Sequence, residues 1–266
     1  MGDALSQFAI ETAVEQMGEN LWRGEFFQGW RVGAVPNGGY VLALAGRVLR
    51  AALPHRDPLS MNAFYLAPTV LGPVECRFEL LRAARSTSFA QLKMYQEGEL
   101  KVQVTAAFTD LDKVQGESWS AEPRPDIPPW DDCTPSGQER IEFYRERVEV
   151  RLESGAEVFT ERQPNGSGEF RGWIKHRDGA DPDVLSLLMF ADTFSPPSST
   201  IFGPVRWIPT IELTVQVRAH PAPGALQGRF YSRHLTHGIV EEDGEYWDSE
   251  GRLVAISRQT AKLRLS

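Results

Sequence analysis

From Val205 to Val217 the chain reads VRWIPTIELTVQV, apolar or branched residues alternating with polar ones, as in a strand with one face in a core. Strict alternation puts Thr210 and Glu212 on one face. The same period predicts strands at LSMNAFYL, VECRFELLR, TSFAQLKMYQ and LKVQVTAAFTDL, broken at Gly72-Pro73 and turned at Glu97-Gly98. Phe8 to Phe27 reads as one or two further strands, with Trp22, Phe26 and Phe27 as core residues. Between these lies a different period. Pro36-Asn37-Gly38-Gly39 forms a turn that permits close backbone approach, and Tyr40 to Leu53 then carries apolar residues at helical spacing. Ala43, Ala45 and Gly46 keep that helix slim, which predicts tight packing around most of it.

After Asp112 the periodicity stops. KVQGESWSAEPRPDIPPWDDCTPSGQE is rich in Pro, acid and Ser and predicts a linker over 113–138, between a unit at 1–112 and a second at 139–266. The second unit repeats the plan of the first. IEFYRERVEVRLE and GEFRGWIKHR read as strands, and DPDVLSLLMFADTF as a helix with Asp181 as N-cap and Pro182 in first position. WIPTIELTVQVRA, ALQGRFYSRHL, GIVEEDGEYW and GRLVAISRQTAKLRL are four closing strands. Laying YQEGELKVQVTAAF over WDSEGRLVAISRQTAKL gives an offset of roughly 150 residues, the mark of a duplicated unit. A helix followed by an antiparallel meander must bury itself on one face of the sheet, an α+β arrangement. Two such sheets paired edge to edge remove an exposed edge from each.

Composition narrows the class. Among 266 residues, 41% are hydrophobic and 24% charged, as in an ordinary globular protein. No apolar run approaches the roughly 20 residues that cross a bilayer, and MGDALSQFAIETAVEQ lacks a basic n-region and an apolar h-region, which predicts a cytoplasmic protein without a membrane partner. A net charge of −8 argues against nucleic acid as partner but leaves room for a small anion held by a local cationic cluster. Cys76 and Cys133 form no CxxC and read as reduced thiols.

Three polar residues fall on neighbouring elements of the second unit: Asp192 near the end of its helix, Thr210 at the start of the following strand, and Gln259 on the last strand. Singly each is ordinary, since a lone Asp near a helix end is usually a cap or solvated, and Thr and Gln are common on strands. Ser167 in NGSGEF is no nucleophile elbow, because the strand-turn-helix context is missing. His234 and His237 have no third metal ligand within sequence reach. His176 in WIKHRDG reads as structural, with substrate contact as the alternative, and Asn165-Gly166-Ser167 is a glycosylation sequon with no other sign of secretion. Arg82, Arg85, Lys93, Arg258 and Lys262 suit a phosphate group and a solvated strand face equally.

FQGWRVGAVPNGGYVLALAGRVL, followed by LSMNAFYLAPTVLGPVECRFELLRAARSTSFAQLKMYQEGELKVQVTAAF, resembles the N-terminal repeat of the thioesterase-like double-hotdog proteins, relatives of type II acyl-CoA thioesterases. A GGY helix, alternating strands and a Q-x-G hairpin together carry the resemblance, which spans most of the chain apart from the linker. It implies a double hotdog: two tandem repeats, each a curved antiparallel sheet wrapped round a central helix. It further implies hydrolysis of an acyl-CoA or similar acyl thioester without cofactor or metal, a pantetheine arm running between the repeats, and sheets that pair further into a homo-oligomer. The alternative on the same fold is a non-catalytic acyl-thioester binding or assembly protein.

The family's catalytic Asp, Thr and Gln match Asp192, Thr210 and Gln259. Glu212-Leu213 stands where Asp-His is usual after Thr-Ile, and Thr260 replaces an acid that often follows the Gln, changes that bear on the acyl pocket. No His follows Asp192 within DTFSPPSST, which argues against the Asp-His chemistry of hotdog hydratases. In thioester hydrolysis Asp192 would serve as base or as water-orienting carboxylate, burial beside LLMFA tending to raise its pKa, while Thr210 and Gln259 position the water. An oxyanion donor is expected from backbone N–H groups near a helix N-terminus, either at Gly38 and Gly39, the substrate-binding residues of this reading, or at the second helix.

Overall fold

A computed structural model of the protein describes residues 5–136, 146–154, 157–161, 163–203 and 208–263. The first unit runs α1 (Gln7–Glu11), β1 (Glu15–Gly18), β2 (Leu21–Phe26), a small hairpin β3 (Arg31–Val32) and β4 (Val35–Pro36), then α2 (Gly38–Ala52). Its meander is β5 (Asp57–Tyr65), β6 (Gly72–Ala83), β7 (Ser88–Gln96) and β8 (Glu99–Thr109). The second unit runs β9 (Thr134–Pro135), β10 (Val148–Leu152), α3 (Glu157–Thr160), β11 (Glu169–His176), α4 (Val184–Phe190) and α5 (Ser199–Phe202). It closes with β12 (Thr210–Val217), β13 (Leu226–Tyr231), β14 (Leu235–Thr236), β15 (Ile239–Trp247) and β16 (Leu253–Lys262).

Apart from the β3-β4 hairpin, these strands form one sheet in the order β1-β2-β6-β7-β8-β5-β12-β16-β15-β13-β11-β10-β9, with β14 beside β15. The order β6-β7-β8-β5 is mirrored by β12-β16-β15-β13, so the predicted duplication is visible as topology. The halves join where β5 and β12 pair antiparallel, from Glu212 opposite Phe64 to Gln216 opposite Ser60. That seam removes one open edge from each half. At the predicted turn, Gln96 faces Glu99, with Glu97 at φ 52° and Gly98 at φ 80°, the paired left-handed residues of a two-residue hairpin.

The core follows from α2. Gly39 to Gly46 is an unbroken buried run, so this stretch has no solvent face. One side is taken by α4, itself buried throughout. A Cβ on Gly39 would lie 2.3 Å from the Met189 carbonyl oxygen, and one on Gly46 2.8 Å from Leu188 Cδ1. Positions 39 and 46 are two turns apart on one helix face, and their missing side chains let the helices meet at backbone distance. Among the described residues no helix is long and apolar enough to cross a membrane.

Several sequence expectations are corrected. Gln7–Glu11 is helical rather than extended, because Ser6 Oγ accepts from the Ala9 amide and starts a turn. Helix α4 is capped by Asp183, not Asp181. Asp183 Oδ1 accepts from the Leu185 and Ser186 amides while Ser186 Oγ accepts from the Asp183 amide, a reciprocal capping box. Asp181 instead accepts from Gly224 N at 2.9 Å. Within the predicted linker, β9 adds to β10 at the sheet edge, and the Trp173 indole donates to the Pro128 carbonyl at 2.8 Å. The boundary predicted at 139, the start of IEFYRERVEVRLE and residues 205–207 of the opening strand lie outside the described residues.

Candidate active site

Helix α4 ends at Phe190, and Asp192 sits in the turn just beyond it rather than on the helix. Its amide donates to Met189 O at 3.3 Å, while its carboxylate reaches the start of α2. There Asp192 Oδ2 accepts from Gly38 N at 2.8 Å and Gly39 N at 3.2 Å. Those amides open a helix and have no acceptor within it, and the helix end carries partial positive charge. Asp192 thus caps the start of α2 from outside that helix. Asn37 locks the junction from both sides: its Oδ1 accepts from Tyr40 N at 3.0 Å and its Nδ2 donates to the Asp192 carbonyl at 2.6 Å. Tyr65 adds an O–H bond to the Gly38 carbonyl at 2.7 Å. A Cβ on Gly38 would sit 2.9 Å from Asp192 Oδ2, so the carboxylate can approach only a glycine.

Thr210 reaches the site through an irregularity that the sequence did not reveal. Thr210 faces Ala261 and Glu212 faces Thr260, so Ile211 is an extra residue between consecutive partners on β16. The bulge reverses the alternation. Thr210 joins the inward face, whereas Glu212 hydrogen-bonds Asn62 and Thr214 elsewhere, which overturns the expectation that the two share a face. Gln259, buried on β16, stands between Leu213 on β12 and Glu242 on β15.

Asp192, Thr210 and Gln259 all line one cavity of about 540 Å³ at the junction of the two units. The first unit contributes the β3-β4 hairpin, Asn37, Gly38 and residues 65–69; the second contributes residues 192, 194–196 and 208–210 with Glu242 and Gln259. Val32, Val35, Leu66, Phe194 and Ile208 make most of its wall apolar. Gly38 lines it too; Gly39 does not, and contributes through its bond to Asp192 and its packing on α4.

Of the two carboxyl groups lining the cavity, Glu242 is the one that sequence reading missed. It is 9% exposed, and burial, followed by the negative charges of Asp192 and Glu241, pushes its carboxyl up to about 8. A signal was present: Val240, Glu242, Gly244 and Tyr246 share one strand face and are buried, so Glu242 occupies an apolar-face position in IVEEDGEYW. Tyr65 is likewise raised, first by burial and then by Asp192 and Glu212, which keeps its hydroxyl a donor.

The remaining candidates lie elsewhere. His176 is buried between Phe8 and Phe190, with Nε2 2.9 Å from Ser186 Oγ, so its role is packing. His234 and His237 are exposed, and Ser167 lies in an exposed turn closed by Asn165. Arg258 is committed to a bidentate pair with Asp243 at 2.6 Å. Both cysteines are free and buried.

Residues 27–109 match the acyl-CoA thioesterase N-terminal domain, and residues 120–263 match the acyl-CoA thioesterase C-terminal domain. A candidate thioesterase II from Thermobifida fusca YX is 29% identical and aligns with a TM-score of 0.88 over 97% of this chain and 99% of that one. A hot dog fold protein of unknown function from Alicyclobacillus acidocaldarius reaches a TM-score of 0.88 at 24% identity, over 98% of this chain and 99% of its own. An uncharacterized protein of Mycobacterium tuberculosis is 24% identical over 267 residues, 91% of this chain and 90% of its own length.

Proposed function

The chain belongs to the acyl-CoA thioesterase family, whose N- and C-terminal domains it carries in tandem as a double hotdog, and we propose that it hydrolyses an acyl-CoA or similar acyl thioester to acid and thiol. The observation that carries this reading is the shared cavity: a carboxylate, a hydroxyl and a carboxamide from positions 192, 210 and 259 line it together. A fold alone does not require that.

In this mechanism Asp192 takes a proton from water as the water oxygen bonds to the thioester carbon. Thr210 and Gln259 hold that water in line, each able to donate and accept. The carbonyl electron pair moves to oxygen, then returns as the C–S bond breaks, and the thiolate leaves with the proton from Asp192. The apolar wall suits the acyl chain, and the cavity's position between the two units fits a pantetheine arm running between them.

The test is direct. Purified protein is offered a panel of acyl-CoAs of different length with a thiol-reactive dye. Release of free CoA that Thr210→Val and Gln259→Leu each reduce by about ten- to a hundredfold is the expected result. Tight acyl-CoA binding without release would instead establish the non-catalytic alternative.

A further inference from the structure

The mechanism leaves one atom without a partner. A thioester carbonyl gathers negative charge as water adds, and donors aimed at it are usually the largest contribution to the rate. Of the two expected donor sets, the amides of Gly38 and Gly39 are already bonded to Asp192 Oδ2 at 2.8 and 3.2 Å, and the Leu185 and Ser186 amides that open α4 are bonded to Asp183 Oδ1. Asn37 Nδ2 is bonded to the Asp192 carbonyl and the Tyr65 hydroxyl to the Gly38 carbonyl. Thr210 and Gln259 are taken by the water.

Glu242 is a further group aimed at this cavity that the mechanism has not used. It lines the cavity, stands opposite Gln259 across the β15-β16 ladder, and is 9% exposed. Its Oε1 is buried and has no hydrogen-bond partner among the described residues. We propose that Glu242 is a fourth working residue of this cavity, whose carboxylic O–H donates to the carbonyl oxygen of the bound thioester and to the oxyanion it becomes. The inference rests on the thioesterase reading above.

The surroundings keep that hydrogen in place. The charged groups that act on Glu242 are Asp192, in the turn after α4, and its strand neighbour Glu241; both are negative, and with burial they hold the proton up to about pH 8. Across the ladder β16 presents the neutral Gln259, and Arg258 beside it is committed to Asp243. A carboxylic acid kept neutral by a dry site can donate to an oxyanion at neutral pH. The bond is donated without net proton transfer, so the balance of the hydrolysis is unchanged: the water proton still goes to Asp192 and then to the thiolate.

The experiment compares wild type, Glu242→Gln and Glu242→Leu by CoA release from about pH 6 to about pH 10. Wild-type kcat should fall above about pH 8, where the donor ionises. Glu242→Leu should lose about 100-fold or more in kcat with KM within a few-fold, the cost of one oxyanion donor. Glu242→Gln keeps an N–H donor that cannot ionise. It should recover about tenfold over the Leu variant and lose the alkaline limb. An alkaline limb that persists in Glu242→Gln, or a Leu variant within threefold of wild type, overturns the donor role alone. Failure of wild type to turn over any acyl-CoA overturns the thioesterase reading and the donor role with it. An infrared carboxyl band of a neutral acid at neutral pH, absent from Glu242→Gln, is expected independently of turnover, and its absence from wild type overturns the inference.

Discussion

Asp192 is a base in the mechanism and a cap in the fold, and the two roles separate on substitution. Asp192→Ala removes the acceptor from the Gly38 and Gly39 amides at the start of α2, of which Gly38 lines the cavity. A buried donor stripped of its partner costs about 1–3 kcal/mol, and a carboxylate at a helix N-terminus contributes about 0.3–2 kcal/mol. The cavity of about 540 Å³ admits water, which offsets part of the loss, so the expected destabilisation is about 2–4 kcal/mol. Asp192→Asn keeps a carbonyl oxygen where Oδ2 stood and gives up only the charge. A charge-assisted bond is about twice as strong as a neutral one, so this variant should lose about 1 kcal/mol. Both should lose about 10²–10⁴-fold in CoA release, since neither has a base. Urea unfolding and the CoA-release assay on the same preparations measure the two losses side by side. An Asn variant as unstable as the Ala variant would refute the capping argument; an Asn variant with wild-type turnover would refute the role as base.

Other outcomes follow from burial and close packing. Gly39→Ala places a Cβ where Met189 O lies 2.3 Å away, so α2 and α4 must separate; urea unfolding should show a loss of about 3 kcal/mol or failure to accumulate, and an unchanged midpoint would contradict the contact. Glu242 carries its proton up to about 8 in the folded state against 4.5 as its ordinary value, so the folded chain binds an extra proton between them. Stability should therefore fall as pH rises through that window and level off above it, and Tm profiles of Glu242→Gln should lack the decline. His176 is lowered from 6.5 by burial, the larger cause, against weaker opposing pulls from Asp178 and Asp183. The unfolded chain then protonates first as pH drops, so its contribution is full above about 6.5 and lost below; His176→Gln should flatten that acid limb of the Tm profile.

Period and punctuation determined much of this protein before any tertiary contact. Alternation located the strands of both meanders, Glu97-Gly98 marked a hairpin, and Ala43, Ala45 and Gly46 announced a helix enclosed by its neighbours, because these signals are local and survive in one dimension. The residue types Asp192, Thr210 and Gln259 were visible for the same reason. Their meeting was not. Asp192 comes to Gly38 from 154 residues away through the packing of α4 on α2, a long-range contact with no sequence periodicity. Thr210 faces the cavity because Ile211 bulges, and a one-residue insertion in a ladder depends on the partner strand, not on the strand itself. Burial, and then the nearby charge of Asp192, raise the Glu242 carboxyl, and both conditions arise only when the fold brings β15 to the cavity. Local chemistry chose the groups; only the folded chain set their distances, and charge interactions depend on distance.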